Sequence, residues 1–143
     1  MKHLLTASMI CLAACTASSS PATEAPQDLF SGQWMNDRGS MVTLQNDFGV
    51  LTGYYQTALG EPDKSKQFPL TGFAEDDQLG FIVNFKGYNS LTSWTGQLTE
   101  DKDGPYIHTL WHLTRNVMNG DEDEDLWQSI TTGASDFRPV DQE

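Results

Sequence analysis

Apolar side chains along this chain recur at every second position in short runs, and polar or glycine-bearing separators end each run before a helical period can build. This alternation predicts eight strands: "GQWMN" (Gly32–Asn36), "SMVTLQ" (Ser40–Gln45), "VLTGYYQT" (Val50–Thr57), "QFPLTGFA" (Gln67–Ala74), "LGFIVNFK" (Leu79–Lys86), "LTSWTGQLT" (Leu91–Thr99), "YIHTLWHLT" (Tyr106–Thr114) and "LWQSITTGASDF" (Leu126–Phe137). The separators "DRG", "NDFG", "EDD", "GYN", "EDKDG" and "NGDEDED" carry the residues that hairpin turns require. Short antiparallel strands at this spacing fit an up-and-down barrel or a sandwich, so the fold class is all-β.

The period of two also assigns faces. Ser40, Val42 and Leu44 share one side of their strand, as do Leu51, Gly53, Tyr55 and Thr57 on the next. Phe81, Val83 and Phe85 align, then Thr92, Trp94, Gly96 and Leu98, then Thr109, Trp111 and Leu113 with His108 and His112 opposite. The last run aligns Trp127, Ser129, Thr131, Gly133, Ser135 and Phe137. Each apolar face carries a hydroxyl or amide near one strand end. A packed core has no use for such groups, because a buried polar group without a partner costs about 1–3 kcal/mol. A barrel packed at one end and lined at the other with aromatics and hydroxyls does use them, to hold a small ligand with a polar head.

Composition narrows the partners. The 143 residues suit one domain, and a net charge of −12 argues against a nucleic-acid partner, which would need basic patches. Both cysteines, Cys11 and Cys15, lie in the first fifteen residues, so the domain folds without a disulfide. "MKHLLTASMICLAAC" reads as a signal peptide: Lys2 is the basic region, and the apolar run that follows is too short to span a bilayer. "LAAC" resembles the bacterial lipobox, which makes Cys15 the expected lipidation site; an ordinary signal peptide cut near Ala17 is the alternative. The expected layout is a signal peptide over 1–14, a Ser/Ala/Pro tether over 15–28, a barrel over 29–138 and a polar C-terminal tail over 139–143. The protein is expected to be exported, as an outer-membrane or periplasmic lipoprotein or in secreted form, and to meet a membrane only through that anchor.

"GQWMNDRGS", "LTGYYQTALG", "GFIVNFK", "SLTSWTGQ", "IHTLWHL" and "DLWQSITTGASDF" occur in the order and spacing of the avidin/streptavidin family of biotin-binding proteins, which this chain resembles from about Gly32 to Phe137. The resemblance implies an eight-stranded antiparallel up-and-down β-barrel that binds biotin and needs no cofactor or metal. It implies that Asn36, Ser40 and Tyr55 donate to the ureido oxygen, and that Thr57 and Ser135 accept the two ureido N–H groups. Thr92 would lie near the thioether sulfur. Phe85, Trp94 and Trp111 would form an aromatic box, with Leu113 beside them on the same face. Leu59 and Gly60 would close over the ligand, and Ser90 would contact its carboxylate. Trp127 matches the tryptophan that reaches into a neighbouring subunit's site. A homo-oligomer is therefore expected, a tetramer slightly favoured over a dimer.

The chain departs from the family at three places. Phe85 stands where many relatives have a third box tryptophan, and the shorter, uncharged Ser135 where they have Asp or Asn. Asp136 would replace Ser135 only if the strand slipped by one residue, which would turn Phe137 outward. The lid "ALGEPDKSK" brings Glu61 near the exit of the biotin carboxylate, where backbone N–H groups around Gly60, or Lys64 and Lys66, would offset it.

Plainer readings compete at single residues. Each Trp could be core, and Asn36 and Ser40 could flank a turn and bond only to its backbone. "GDEDED" (Gly120–Asp125) lacks the alternating calcium-ligand pattern and reads as a solvated loop. An enzyme is disfavoured: there is no G-x-S-x-G elbow, no cysteine nucleophile in the processed chain and no inward histidine. The alternative function is a lipocalin-like outer-membrane lipoprotein that binds a small hydrophobic ligand. "GQW" suits its G-x-W signature, whereas the polar inward residues do not suit a lipid pocket.

Overall fold

A computed structural model describes residues 27–140. The predicted signal peptide, the lipidation site at Cys15, most of the tether and residues 141–143 lie outside the described residues. Eight strands follow one another: β1 (Gly32–Asn36), β2 (Met41–Asp47), β3 (Val50–Gln56), β4 (Phe68–Glu75), β5 (Gln78–Phe85), β6 (Ser90–Asp101), β7 (Gly104–Arg115) and β8 (Ile130–Pro139). Each pairs antiparallel with the next, and β8 returns to β1 through Trp34↔Pro139, Met35↔Arg138 and Asn36↔Phe137. The sheet is thus a closed barrel and not a sandwich, and closure leaves no strand edge unpaired.

Up-and-down wiring sends alternate connections to opposite ends. The β2–β3, β4–β5 and β6–β7 links are tight hairpins. The first of these turns on Phe48 and Gly49, with φ of 49° and 88°, the left-handed pair that a two-residue hairpin demands. The β3–β4 connection (residues 57–67) and the β7–β8 connection (residues 116–129) are long, and both lie at the other end with the β1–β2 and β5–β6 turns. That end carries the site.

The interior follows the predicted alternation. Val42, Leu44, Leu51, Leu70, Leu79, Phe81, Val83, Ile107 and Phe137 are buried in one apolar cluster. Phe30 and Trp34 extend it toward the hairpin end, and the buried Trp34 Nε1 donates to Phe30 O at 2.9 Å, which meets the indole's need for an acceptor. His108 and His112 face outward as expected. His108 Nδ1 lies 2.6 Å from Asp136 Oδ1, its cross-strand neighbour, so Asp136 points out while Ser135 and Phe137 point in. No register slip occurs.

One strand differs from the sequence reading. Residues Leu126–Ser129, read as the start of the last strand, instead end an irregular segment: Glu122–Asp125 form one helical turn and Leu126–Gln128 a 3-10 turn. The reason is pairing. β7 ends at Arg115, whose N–H donates to Ser129 O at 2.7 Å, and the register begins only at Thr114↔Ile130. Residues before Ser129 have no strand to pair with, so the alternation there assigns no face. Trp127, aligned in sequence with the inward set, is 80% exposed.

Candidate functional site

The turn after β1 builds the polar corner of the site. Asn36 Oδ1 accepts from Ser40 N–H at 2.8 Å and from Arg38 N–H at 3.1 Å, while the backbone closes the turn through Asn36 N–H to Ser40 O and Gly39 N–H to Asn36 O, both 2.9 Å. This is the local turn bonding that the plainer reading of Asn36 predicts. It has a second consequence. With the side-chain oxygen committed to the turn, the Asn36 amide group faces the Tyr55 hydroxyl, so one residue shapes the hairpin and presents a donor.

Ser40 is similarly divided. Its Oγ accepts the Ala58 N–H at 3.0 Å, which leaves its own proton to donate and ties β2 to the start of the β3–β4 loop. Burial pushes the Tyr55 phenol above its ordinary 10.0, and hydrogen bonds from the Ser40 and Asn36 side chains draw it part of the way back. The phenol therefore stays protonated throughout the physiological range and remains a donor. Thr57 has the opposite bias: Oγ1 donates to Leu59 O at 2.8 Å and accepts Leu59 N–H at 3.1 Å, so toward anything else it can only accept. Three donors and an acceptor thus converge from the β1–β2 turn, β3 and the start of the β3–β4 connection, with the local bonds of Asn36, Ser40 and Thr57 already made.

Aromatic rings form the walls. Trp94 stacks on Phe81 at 5.1 Å between centroids and lies 4.9 Å from the Tyr55 ring. Phe85 meets Tyr55 edge-on at 5.9 Å and packs on Phe68 at 4.9 Å. Trp111 lies across its β8 partner Gly133, where an added Cβ would fall 2.4 Å from Trp111 Cζ2. Only glycine lets the indole lie there. Two buried atoms on this wall, Thr92 Oγ1 and Trp94 Nε1, have no hydrogen-bond partner among the described residues. Buried polar atoms of this kind cost about 1–3 kcal/mol each unless something satisfies them.

These groups enclose a cavity of about 560 Å³ at the end with the long loops. Asn36, Ser40, Tyr55, Thr57, Leu59, Gly60, Phe85, Ser90, Thr92, Trp94, Trp111, Leu113 and Ser135 all line it, as does Glu61 of the lid. Trp127 does not, and Cys15 lies outside the described residues. Arg38, Pro62, Tyr88 and Arg115 also line the cavity and were not singled out from the sequence. Arg115 was within reach of the period-two rule, since it continues the series Thr109, Trp111, Leu113 by one more step. Arg38 and Tyr88 sat inside segments read only as turns.

A closed up-and-down barrel with a concave, aromatic-walled cavity at one end and converging donors inside it defines a small-ligand-binding barrel. Within that class the chain belongs to the avidin family, whose sequence model matches residues 24–140. It is 30% identical over 147 residues to avidin of Gallus gallus, across 96% of this chain and 95% of that protein. Among solved structures, xenavidin superposes with a TM-score of 0.68 at 28% identity, covering 78% of this chain and 98% of its own. A rhizavidin–biotin complex superposes with a TM-score of 0.67 at 28% identity, covering 87% of this chain and 99% of that one.

Proposed function

We propose that this protein is a non-covalent, high-affinity biotin binder with no catalytic activity, and that biotin occupies the cavity with its ureido ring against β1–β3 and its valeryl chain toward the lid. Asn36, Ser40 and Tyr55 donate to the ureido oxygen, stabilising the polarised form of the urea as oxyanion-binding donors do. Thr57 accepts one ureido N–H and Ser135 the other. Thr92 lies by the sulfur, Phe85, Trp94, Trp111 and Leu113 pack on the rings and chain, Leu59 and Gly60 cover them, and Ser90 meets the carboxylate. The observation that carries this reading is that Asn36 Oδ1 and Ser40 Oγ accept from backbone N–H groups, which turns the Asn36 amide and the Ser40 hydroxyl proton to the Tyr55 phenol and gathers three donors at one corner, where a ligand oxygen can take over their protons. The membership in the avidin family and the biotin in the rhizavidin complex support the choice of ligand. Calorimetric titration with biotin tests it: one tight site per chain is expected, and an absence of heat and of tryptophan fluorescence change refutes it.

The assembly we propose is a homo-oligomer, a tetramer in preference to a dimer, in which Trp127 caps a neighbour's cavity. Its 80% exposure in the isolated chain supports this, since a tryptophan left in water forgoes a large burial gain. Light scattering after size exclusion checks the mass. Export with a lipid on Cys15 completes the proposal. Fatty-acid labelling of the wild type, with loss of the label in Cys15→Ser, is the result expected.

A further inference from the structure

In a chain with 20 acidic and 8 basic residues, an arginine without a carboxylate partner is unusual. Arg138 shows the ordinary case: its Nη2 lies 2.7 Å from Asp101 Oδ2, and its guanidinium sits 4.8 Å from the centre of the Tyr106 ring. The other two arginines, Arg38 and Arg115, both line the cavity, and neither side chain makes an ion pair or hydrogen bond among the described residues. Their positions differ. Arg38 belongs to the donor corner, between Asn36 and Ser40 in the turn, and its charge reaches the Tyr55 phenol. Arg115 stands at the lip, opposite Ser90 in the β6–β7 register.

Two carboxylates could neutralise Arg115, and neither does. Glu61 lines the same cavity from the lid without pairing to it. Glu122 borders the adjoining outer groove, which Arg115 also lines, but its Oε2 accepts the Gly120 N–H at 2.6 Å. The Arg115 backbone is fixed by its N–H to Ser129 O, and the next residue by Asn116 N–H to Asn89 O at 2.9 Å. The backbone at Arg115 is therefore fixed, while the guanidinium has no partner among the described residues. A planar, permanently charged fork on the residue paired across the ladder with Ser90, both lining the cavity, is suited to a carboxylate.

We infer that Arg115 is a specificity-determining residue that pairs with the ligand's terminal carboxylate, so that the site selects the free acid over ligands whose tail is an amide. This rests on the biotin reading. An amide tail offers the guanidinium no charge and leaves it unpaired at the lip, whereas an anionic tail gives it a charge-assisted bond that the lid's Glu61 only partly opposes.

Parallel titrations of the full protein with biotin and with biotin primary amide test the inference. The wild type is expected to bind the acid about tenfold more tightly than the amide, as for one partly solvated charge-assisted pair. Arg115→Gln should bring the two affinities together by weakening the acid alone, Arg115→Lys should keep part of the preference, and Glu61→Gln should widen it. Thermal unfolding of each variant confirms its folding. Equal affinities in the wild type, or an Arg115→Gln variant that weakens both ligands alike, would overturn the inference while leaving biotin binding intact. If neither compound binds the wild type, the biotin reading fails and the selectivity falls with it.

Discussion

Replacing Gly133 by alanine tests whether the Trp111 wall is part of the binding site or only part of the barrel. The new methyl group would lie 2.4 Å from Trp111 Cζ2, 2.7 Å from Cε2 and 3.1 Å from Cη2. Carbon atoms rest at about 3.5–4.0 Å, so the indole must retreat by roughly 1 Å. β7 and β8 are hydrogen-bonded on both sides of the Trp111↔Gly133 pair, which prevents the backbone from separating. The ring therefore has to tilt toward the cavity, into the space that the ligand needs. Overpacking of this kind costs about 1–3 kcal/mol. If the free protein relieves the strain by that tilt, the cost falls on binding, a loss of roughly 5- to 150-fold in affinity. Gly96→Ala is the control: its methyl would strike His108 O at 2.1 Å, a backbone clash at a residue that does not line the cavity. It should lower the melting temperature and leave the affinity of the surviving folded protein unchanged. The reasoning is refuted if Gly133→Ala behaves like Gly96→Ala, losing stability with its biotin affinity intact.

Other outcomes follow from single contacts. Tyr55→Phe removes one buried donor and should weaken biotin by about 1–3 kcal/mol in calorimetry. Ser40→Ala should cost more, because it also strips the Ala58 N–H of its acceptor and loosens the lid at its root. The raised phenol of Tyr55 gives a pH signature: the folded state holds its proton more tightly than the unfolded chain, so the stabilisation is complete below pH 10.0 and is lost as pH climbs through the raised value. Thermal melts from pH 9 upward should show that decline, and Tyr55→Phe should lack its share of it. Trp127→Lys should leave the barrel folded, at a position 80% exposed in the single chain, while it lowers the oligomer's mass in light scattering, and with it the melting temperature, and speeds biotin release.

The choice of barrel over sandwich came from the family resemblance, while the alternation revealed the strands and their inward faces because each strand buries one face and exposes the other. Ser40, Tyr55, Thr92, Trp94 and Trp111 fall on the lining for that reason alone. The rule fails where pairing ends. Trp127 keeps the parity of Ser135 and Phe137, yet no strand lies beside residues 126–128, and parity without a ladder fixes nothing. Asn36 was posed as either a turn residue or a ligand residue. Its oxygen closes the turn and its amide faces the Tyr55 hydroxyl, a division that composition and spacing do not encode. The unpaired Thr92 Oγ1 and Trp94 Nε1, and the unpaired arginines at the cavity, are three-dimensional facts: they depend on which groups fail to meet.

In the proposed complex the donor corner of Asn36, Ser40 and Tyr55 holds the ureido group of biotin. A single calorimetric comparison of wild type and Tyr55→Phe with biotin addresses this placement most directly. Both proteins should saturate at one biotin per chain, with the variant weaker by about 1–3 kcal/mol. A wild type that gives no binding heat, or a variant that binds as tightly as the wild type, would contradict that placement.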